Sequence, residues 1–175
     1  MIIIIIIVIT TIIIFMVWCQ IQRQSTRKDY YSRASNHSKQ SGKPLLVIGD
    51  PYNGRGSKIW GVVYGCGNVC LDITGCPKCP KGIKGKLEDV LPTLENNSYV
   101  IFVSYVLEYV DNIELIIREL KRVSGGDLYI AHVQPYDFLT LYFYKGTKRK
   151  ILSAPPTHTN ITYKPITPIW GITGD

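Results

Sequence analysis

The sequence predicts an α/β domain built on a mainly parallel sheet and preceded by a single transmembrane helix. Three observations carry that expectation. From Ile2 to Trp18 the chain is uncharged and almost wholly apolar, interrupted only by Thr10 and Thr11. Short continuous apolar runs recur at Leu45–Ile48, Val69–Leu71, Tyr99–Val103 and Leu128–Ala131, the form taken by strands buried on both faces of a parallel sheet. Between the last two runs lies an amphipathic stretch at helical spacing, and run, helix, run is the order of a parallel crossover.

Residues 1–19 read as an anchor. At about 1.5 Å of rise per residue, roughly 17 helical residues reach most of a hydrocarbon core of about 30 Å. A cleavable signal peptide has a basic start and small residues at its cleavage site. Here Met1 runs straight into isoleucine, and the exit reads Trp18-Cys19-Gln20-Ile21-Gln22. The unbroken isoleucines from Ile2 to Ile7 leave no polar face for an ordinary amphipathic core helix.

Residues 20–43 are polar and basic without apolar periodicity, which predicts a tether. Arg23, Arg27, Lys28, Arg33, Lys39 and Lys43 stand there against Asp29 alone and supply much of the net charge of +7. The positive-inside tendency puts this flank, and the domain behind it, on the cytoplasmic side. These charges also suit anionic head groups. They account for the basic balance without nucleic acid, for which no recognition motif is present. Five cysteines in a cytoplasmic domain need not form disulfides. The glycosylation patterns at Asn36, Asn96 and Asn160 matter only if the topology is reversed.

Residues 44–152 are predicted to form one domain with a single core. Its clearest helix carries Val106, Val110, Ile113, Ile117 and Leu120 on one stripe, with Glu114, Arg118, Glu119, Lys121 and Arg122 off it. Asp111 and Glu114 resemble a capping box, Lys121 and Arg122 suit a helix C-terminus, and Gly125 suits the left-handed position beyond it. After Pro135 the chain turns aromatic through Tyr136, Phe138, Tyr142, Phe143 and Tyr144, then basic from Lys145 to Lys150. Residues 153–175, rich in Pro and Thr, read as an extended tail.

Open α/β sheets bind ligands beyond the carboxyl ends of their strands. The first run is followed by Gly49-Asp50-Pro51-Tyr52-Asn53-Gly54-Arg55-Gly56, whose glycines permit sharp turns and close approach of a ligand. The second run ends in Asp72, a carboxylate able to accept from a ribose diol.

With these residues in hand, the stretch from Pro44 to Pro135 resembles the class I S-adenosylmethionine-dependent methyltransferases, whose sheet is Rossmann-like. The most specific segment runs from Asn97 to Val110, through Ser104-Tyr105-Val106-Leu107-Glu108-Tyr109, and on to Arg122-Val123-Ser124-Gly125-Gly126. In that family the equivalent is a fourth strand, a Leu-Glu-His type turn, a helix ending in Arg-Val, a Gly-Gly turn and a fifth strand. Leu87-Glu88-Asp89-Val90-Leu91-Pro92 also looks like the family's stretch after strand three.

The resemblance implies a small-molecule cofactor, S-adenosylmethionine, with Gly49, Asp50, Asn53, Gly54 and Gly56 around its methionine part. Asp72 would hold the ribose, Glu88 or Asp89 would lie near the adenine, and Ser104 and Tyr105 would face the reacting methyl. No side chain need form a covalent intermediate, and the resemblance singles out no catalytic residue. Two departures from the family stand out: Pro51 removes a backbone donor from the glycine loop, and Lys86 occupies the place where many relatives carry an adenine-side Asp. A catalytically inactive scaffold, such as a virion membrane protein using the fold for protein contacts, is the alternative expectation.

A second alternative is a zinc-binding membrane adaptor. Cys66, Cys70, Cys76 and Cys79 are clustered, and Cys76-Pro77-Lys78-Cys79 resembles one zinc knuckle. Against it, Cys70 falls on a buried run, where cysteine is commonly a small hydrophobe. His132, at the end of the last run, is expected to be a packed histidine more than a general base.

Overall fold

The computed structural model describes residues 2–53, 55–132, 151–152 and 165–166. Five parallel strands form its centre: β1 (Leu45–Ile48), β2 (Val69–Asp72), β3 (Gly82–Lys84), β4 (Val100–Ser104) and β5 (Leu128–Ala131). They lie in the order β3-β2-β1-β4-β5, with every neighbouring pair parallel. Around them run α1 (Ile2–Ser41), α2 (Arg55–Trp60), α3 (Leu87–Val90) and α4 (Ile113–Ser124). A separate pair, β6 (Ile151–Leu152) and β7 (Pro165–Ile166), is antiparallel. The expected α/β class and parallel sheet are therefore present. The aromatic stretch 136–144, the basic stretch 145–150, the remainder of the expected tail and the sequon at Asn160 lie outside the described residues.

Alternation along the strands sends side chains to two cores. On one face Leu46, Ile48, Ile101, Val103, Leu128 and Ile130 meet Ile113, Ile116, Ile117, Leu120 and Val123 of α4, together with Leu87 and Leu91. On the other, Leu45, Val47, Val100, Phe102, Tyr129 and Ala131 meet Tyr30, Tyr31 and Ala34 of α1.

That second face corrects the expectation for residues 20–43. The chain stays helical from the apolar stretch through to Ser41, about 60 Å at 1.5 Å per residue, and its second half covers the sheet. Cys19, Arg23, Ala34 and Ser38 form its buried face. The far end is fastened by polar contacts: Lys43 Nζ donates to Asp127 Oδ2 at 2.8 Å and to Asn97 Oδ1 at 2.6 Å, and His37 Nδ1 lies 2.9 Å from the Tyr129 hydroxyl.

Around α4 the reading is corrected in detail. The helix begins at Ile113, so Val106 and Val110 precede it, with a 3-10 turn at Leu107–Tyr109 between them. Its N-cap is Asn112, whose Oδ1 accepts from Leu115 N at 3.0 Å, in place of the expected box from Asp111 to Glu114. Gly125 closes the helix in the left-handed conformation, as its position predicts.

Candidate functional site

The strand order reverses between β1 and β4, since the chain leaves β1 toward β2 and later returns on the opposite side. Loops leaving the two strands diverge there and open a crevice. Gly49, at φ +102°, makes the first turn; a Cβ on it would stand 2.9 Å from the Ser104 carbonyl oxygen. Only glycine lets the exit of β1 pass so close to the end of β4. Its N–H donates to Leu71 O at 2.9 Å, which holds the loop over β2.

Asp72 organises the floor. Its Oδ2 accepts from Asp50 N at 3.0 Å, and its Oδ1 accepts from Thr74 N at 2.8 Å and Thr74 Oγ1 at 2.7 Å. A carboxylate has about four acceptor positions, so one remains for a ligand. Asp50 turns its own carboxylate back to Tyr52 N at 2.9 Å, an Asx turn that braces the loop. Asn53 Nδ2 donates to Thr74 Oγ1 at 2.9 Å and ties the two loops together.

At the other lip Tyr105 adopts φ +52°, a conformation that costs a non-glycine residue of order 1–3 kcal/mol and recurs at functional sites. Its N–H donates to Ala131 O at 2.8 Å, which pins the turn. Ser104 beside it is buried. Tyr64 donates to Gly49 O at 3.3 Å. Burial holds its phenol above the ordinary value of 10.0, outweighing the nearby Ser104 hydroxyl and Arg27, which act in the opposite direction. Tyr64 is thus a neutral donor at physiological pH.

These elements surround a cleft of about 790 Å³, within the usual range for small-molecule sites. Gly49, Asp50, Asn53, Asp72, Glu88, Ser104 and Tyr105 line it, as does Lys86. Asp89 is exposed and outside the lining: the single turn of α3 directs Glu88 inward and its neighbour away. Gly54 lies outside the described residues, and Gly56 falls in the first turn of α2. His132 is buried within the protein just past β5, consistent with a packed histidine.

Four lining residues come from the segment read as a tether: Gln20, Arg23, Gln24 and Arg27. The Arg27 guanidinium lies 4.5 Å from the Tyr105 ring centroid, and that of Arg23 lies 5.8 Å away. Their signal in the sequence is the i, i+4 spacing of each pair directly behind an apolar helix. The acids Asp50, Asp72 and Glu88 come from the β1–β3 side together with Lys86, and Asp111 comes from the connection between β4 and α4, so charges of both signs line the cleft.

The clustered cysteines are paired, Cys66 with Cys79 and Cys70 with Cys76. A cytoplasmic domain need not form disulfides, yet all four clustered cysteines are paired here. The sulfurs of Cys70, Cys76 and Cys79 lie within 4.8 Å of one another, a grouping able to hold a metal ion. Bonded in disulfides, however, they are not the thiolates that zinc requires.

No protein-family model, curated protein or solved structure matches the chain. What fold and site define is a class: a parallel α/β domain with a cleft at its switch point. It stands on an N-terminal helix that contains a stretch long and apolar enough to cross a membrane, only 6% of which is buried.

Proposed function

We propose that the chain is a membrane-anchored, methyltransferase-like protein whose cleft takes S-adenosylmethionine. The observation that carries this reading is the convergence of Gly49, Asp50, Asp72, Glu88, Ser104 and Tyr105 on one cleft at the strand-order reversal. The strand order is also that of the first five strands of a Rossmann sheet. The residues suit the cofactor chemically: Asp72 has an acceptor position left for a ribose hydroxyl, and Asp50 and Glu88 favour a cationic ligand.

Bound there, the cofactor supplies an electrophilic methyl on a sulfonium. The chain's own part is positioning, which lowers the barrier by fixing the reactants in line and excluding water. Gly49 gives the close approach, Asp72 the orientation, and Ser104 and Tyr105 the wall beside which an acceptor sits. Isothermal titration of S-adenosylhomocysteine into the full chain in detergent tests the reading. Micromolar binding that falls at least tenfold in Asp72→Ala supports it, the loss expected when a charged acceptor is removed. A folded protein that binds neither the product nor the cofactor overturns it and leaves the inactive scaffold.

The domain is proposed to face the cytoplasm, because six basic residues follow the apolar stretch at once. The two disulfides argue the other way, since such bonds persist mainly in oxidising compartments. Asn96 is exposed, so glycosylation there in a eukaryotic host reads the topology: an unmodified chain supports the charge argument, and a glycosidase-sensitive one refutes it.

The zinc adaptor has one observation in its favour, the convergence of Cys70, Cys76 and Cys79. Metal analysis of protein prepared under reducing conditions tests it. Stoichiometric zinc supports that reading, and its absence refutes it.

A further inference from the structure

Exposed apolar side chains in the described part of the domain are concentrated near the cleft. Beyond Trp18 the large exposed hydrophobics are Ile21, Ile59, Val62, Ile73 and Tyr109. Three of them, Ile59, Ile73 and Tyr109, line the cleft itself. Apolar surface left in water costs roughly 25 cal/mol per Å², so such a rim marks a place that meets something apolar.

The anchor fixes where that rim stands. Cys19 is fully buried, and Phe15 and Met16 are half-buried, so the globular domain reaches the last turn of the apolar stretch with no tether between. Gln20 follows Trp18 by about 3 Å along the helix and Arg27 by about 14 Å, at 1.5 Å per residue. The polar layer on each side of a bilayer is about 5–8 Å thick. With Trp18 at the interface, where tryptophan is favoured, the cleft opens among the head groups and extends just beyond them.

The roof is built to meet an anion. Gln24 and Arg27 line the cleft, and Arg27 Nε and Gln24 Nε2, covered by neighbouring side chains, make no hydrogen bond among the described residues, so an acceptor brought within reach by a small side-chain rotation relieves a costly arrangement. Tyr105 carries the Arg27 guanidinium against its ring. Asp50, Asp72 and Glu88 come from the β1–β3 side and the arginines from α1, with Lys86 and Asp111 also in the lining.

We infer that the methyl acceptor is an anionic amphiphile drawn from the bilayer itself. Arg27 and Gln24 hold the anionic oxygen of its head group, while its chains rest against Ile59, Ile73 and the apolar end of α1. The transfer step rests on the cofactor reading above; lipid entry does not. In that step a lone pair on the head group's nucleophilic atom forms the new bond to the methyl carbon. The carbon–sulfur bond breaks with its electrons remaining on sulfur, and any proton on the nucleophile leaves to water through the open mouth.

The test uses the full chain in phosphatidylcholine vesicles, with and without phosphatidic acid bearing a photoactivatable diazirine beside its head group. Cross-links are mapped by mass spectrometry. The inference expects them at Gln20–Arg27 and around Ile59, about tenfold weaker in Arg27→Gln and largely restored in Arg27→Lys. Cross-links confined to residues 2–18, or a cleft signal displaced equally well by soluble glycerol phosphate, overturn it. S-adenosylhomocysteine titration on the same vesicles separates the two readings: cleft labelling without cofactor binding upholds the lipid site and defeats the methyltransferase.

Discussion

The connections from β4 to β5 and from β1 to β2 have the same topology, a parallel crossover through a helix, and are built in opposite ways. The first uses α4, which buries Ile113, Ile116, Ile117, Leu120 and Val123 and is closed at both ends by Asn112 and Gly125. The second uses the six residues of α2, where Ser57, Lys58 and Ile59 are not buried. Apart from Tyr64, which packs on Phe102 and Tyr31, its supports are polar and covalent: Asp72 on the Asp50 loop, the Tyr64 hydroxyl on Gly49, and two disulfides that begin at Cys66 and Cys70. One crossover supplies stability through packed apolar area, and the other has less of it, beside the cleft. Regions of few apolar contacts open locally at low cost, and binding loops are drawn from them.

Truncation inside the two crossovers breaks this comparison most directly. Leu120→Ala empties a fully buried site in α4 and is expected to cost about 2–5 kcal/mol by urea denaturation. Ile59→Ala is expected to stay within about 0.5 kcal/mol; a cost similar to that of Leu120→Ala would refute the contrast. Removing the Cys66–Cys79 bond by paired serine substitution comes next. Its loop spans a sequence separation of 13, so the oxidised protein is expected to lose about 2–3 kcal/mol.

What the sequence reveals divides along the same line. β1, β4, α4 and β5 are legible because burial on both sides writes itself as unbroken aliphatic runs and a strong helical stripe. β3 is not, because an edge strand with Gly82 and Lys84 exposed needs no apolar run. The second half of α1 is hidden for another reason. Its buried face consists of Cys19, Arg23, Ala34 and Ser38, small or polar residues whose helical spacing is not marked by hydrophobicity. Arg23 and Arg27, which line the cleft, are hidden with it. Gly49, Asp50 and Asp72 are legible as cleft residues because strand ends in such sheets face ligands, and Ser104 and Tyr105 through the methyltransferase resemblance, whereas Asp89 is not separable from Glu88 without the turn of α3.

Two smaller effects sharpen the contrast. Asn112→Ala removes the cap of α4 and is expected to lower stability by about 1 kcal/mol, read as a shift in the urea midpoint. Tyr64 gives a pH signature. Its folded pKa is raised above the ordinary value of 10.0 by burial, so the folded state retains a proton that the unfolded chain loses. The stabilisation is therefore complete below about pH 10 and is lost as pH rises through the folded pKa. Tyr64→Phe is expected to make the alkaline decline shallower; an unchanged slope would contradict the burial argument.

The central claim is that the cleft beside the lightly packed β1–β2 crossover is a cofactor site. Hydrogen exchange of the full chain, with and without S-adenosylhomocysteine, tests it most directly. The account predicts slowed exchange at residues 49–61 and 72–74 and around Glu88, with the central amides of β4, β5 and α4 unchanged. Exchange that remains the same at 49–61 and 72–74 in the presence of saturating ligand would contradict it.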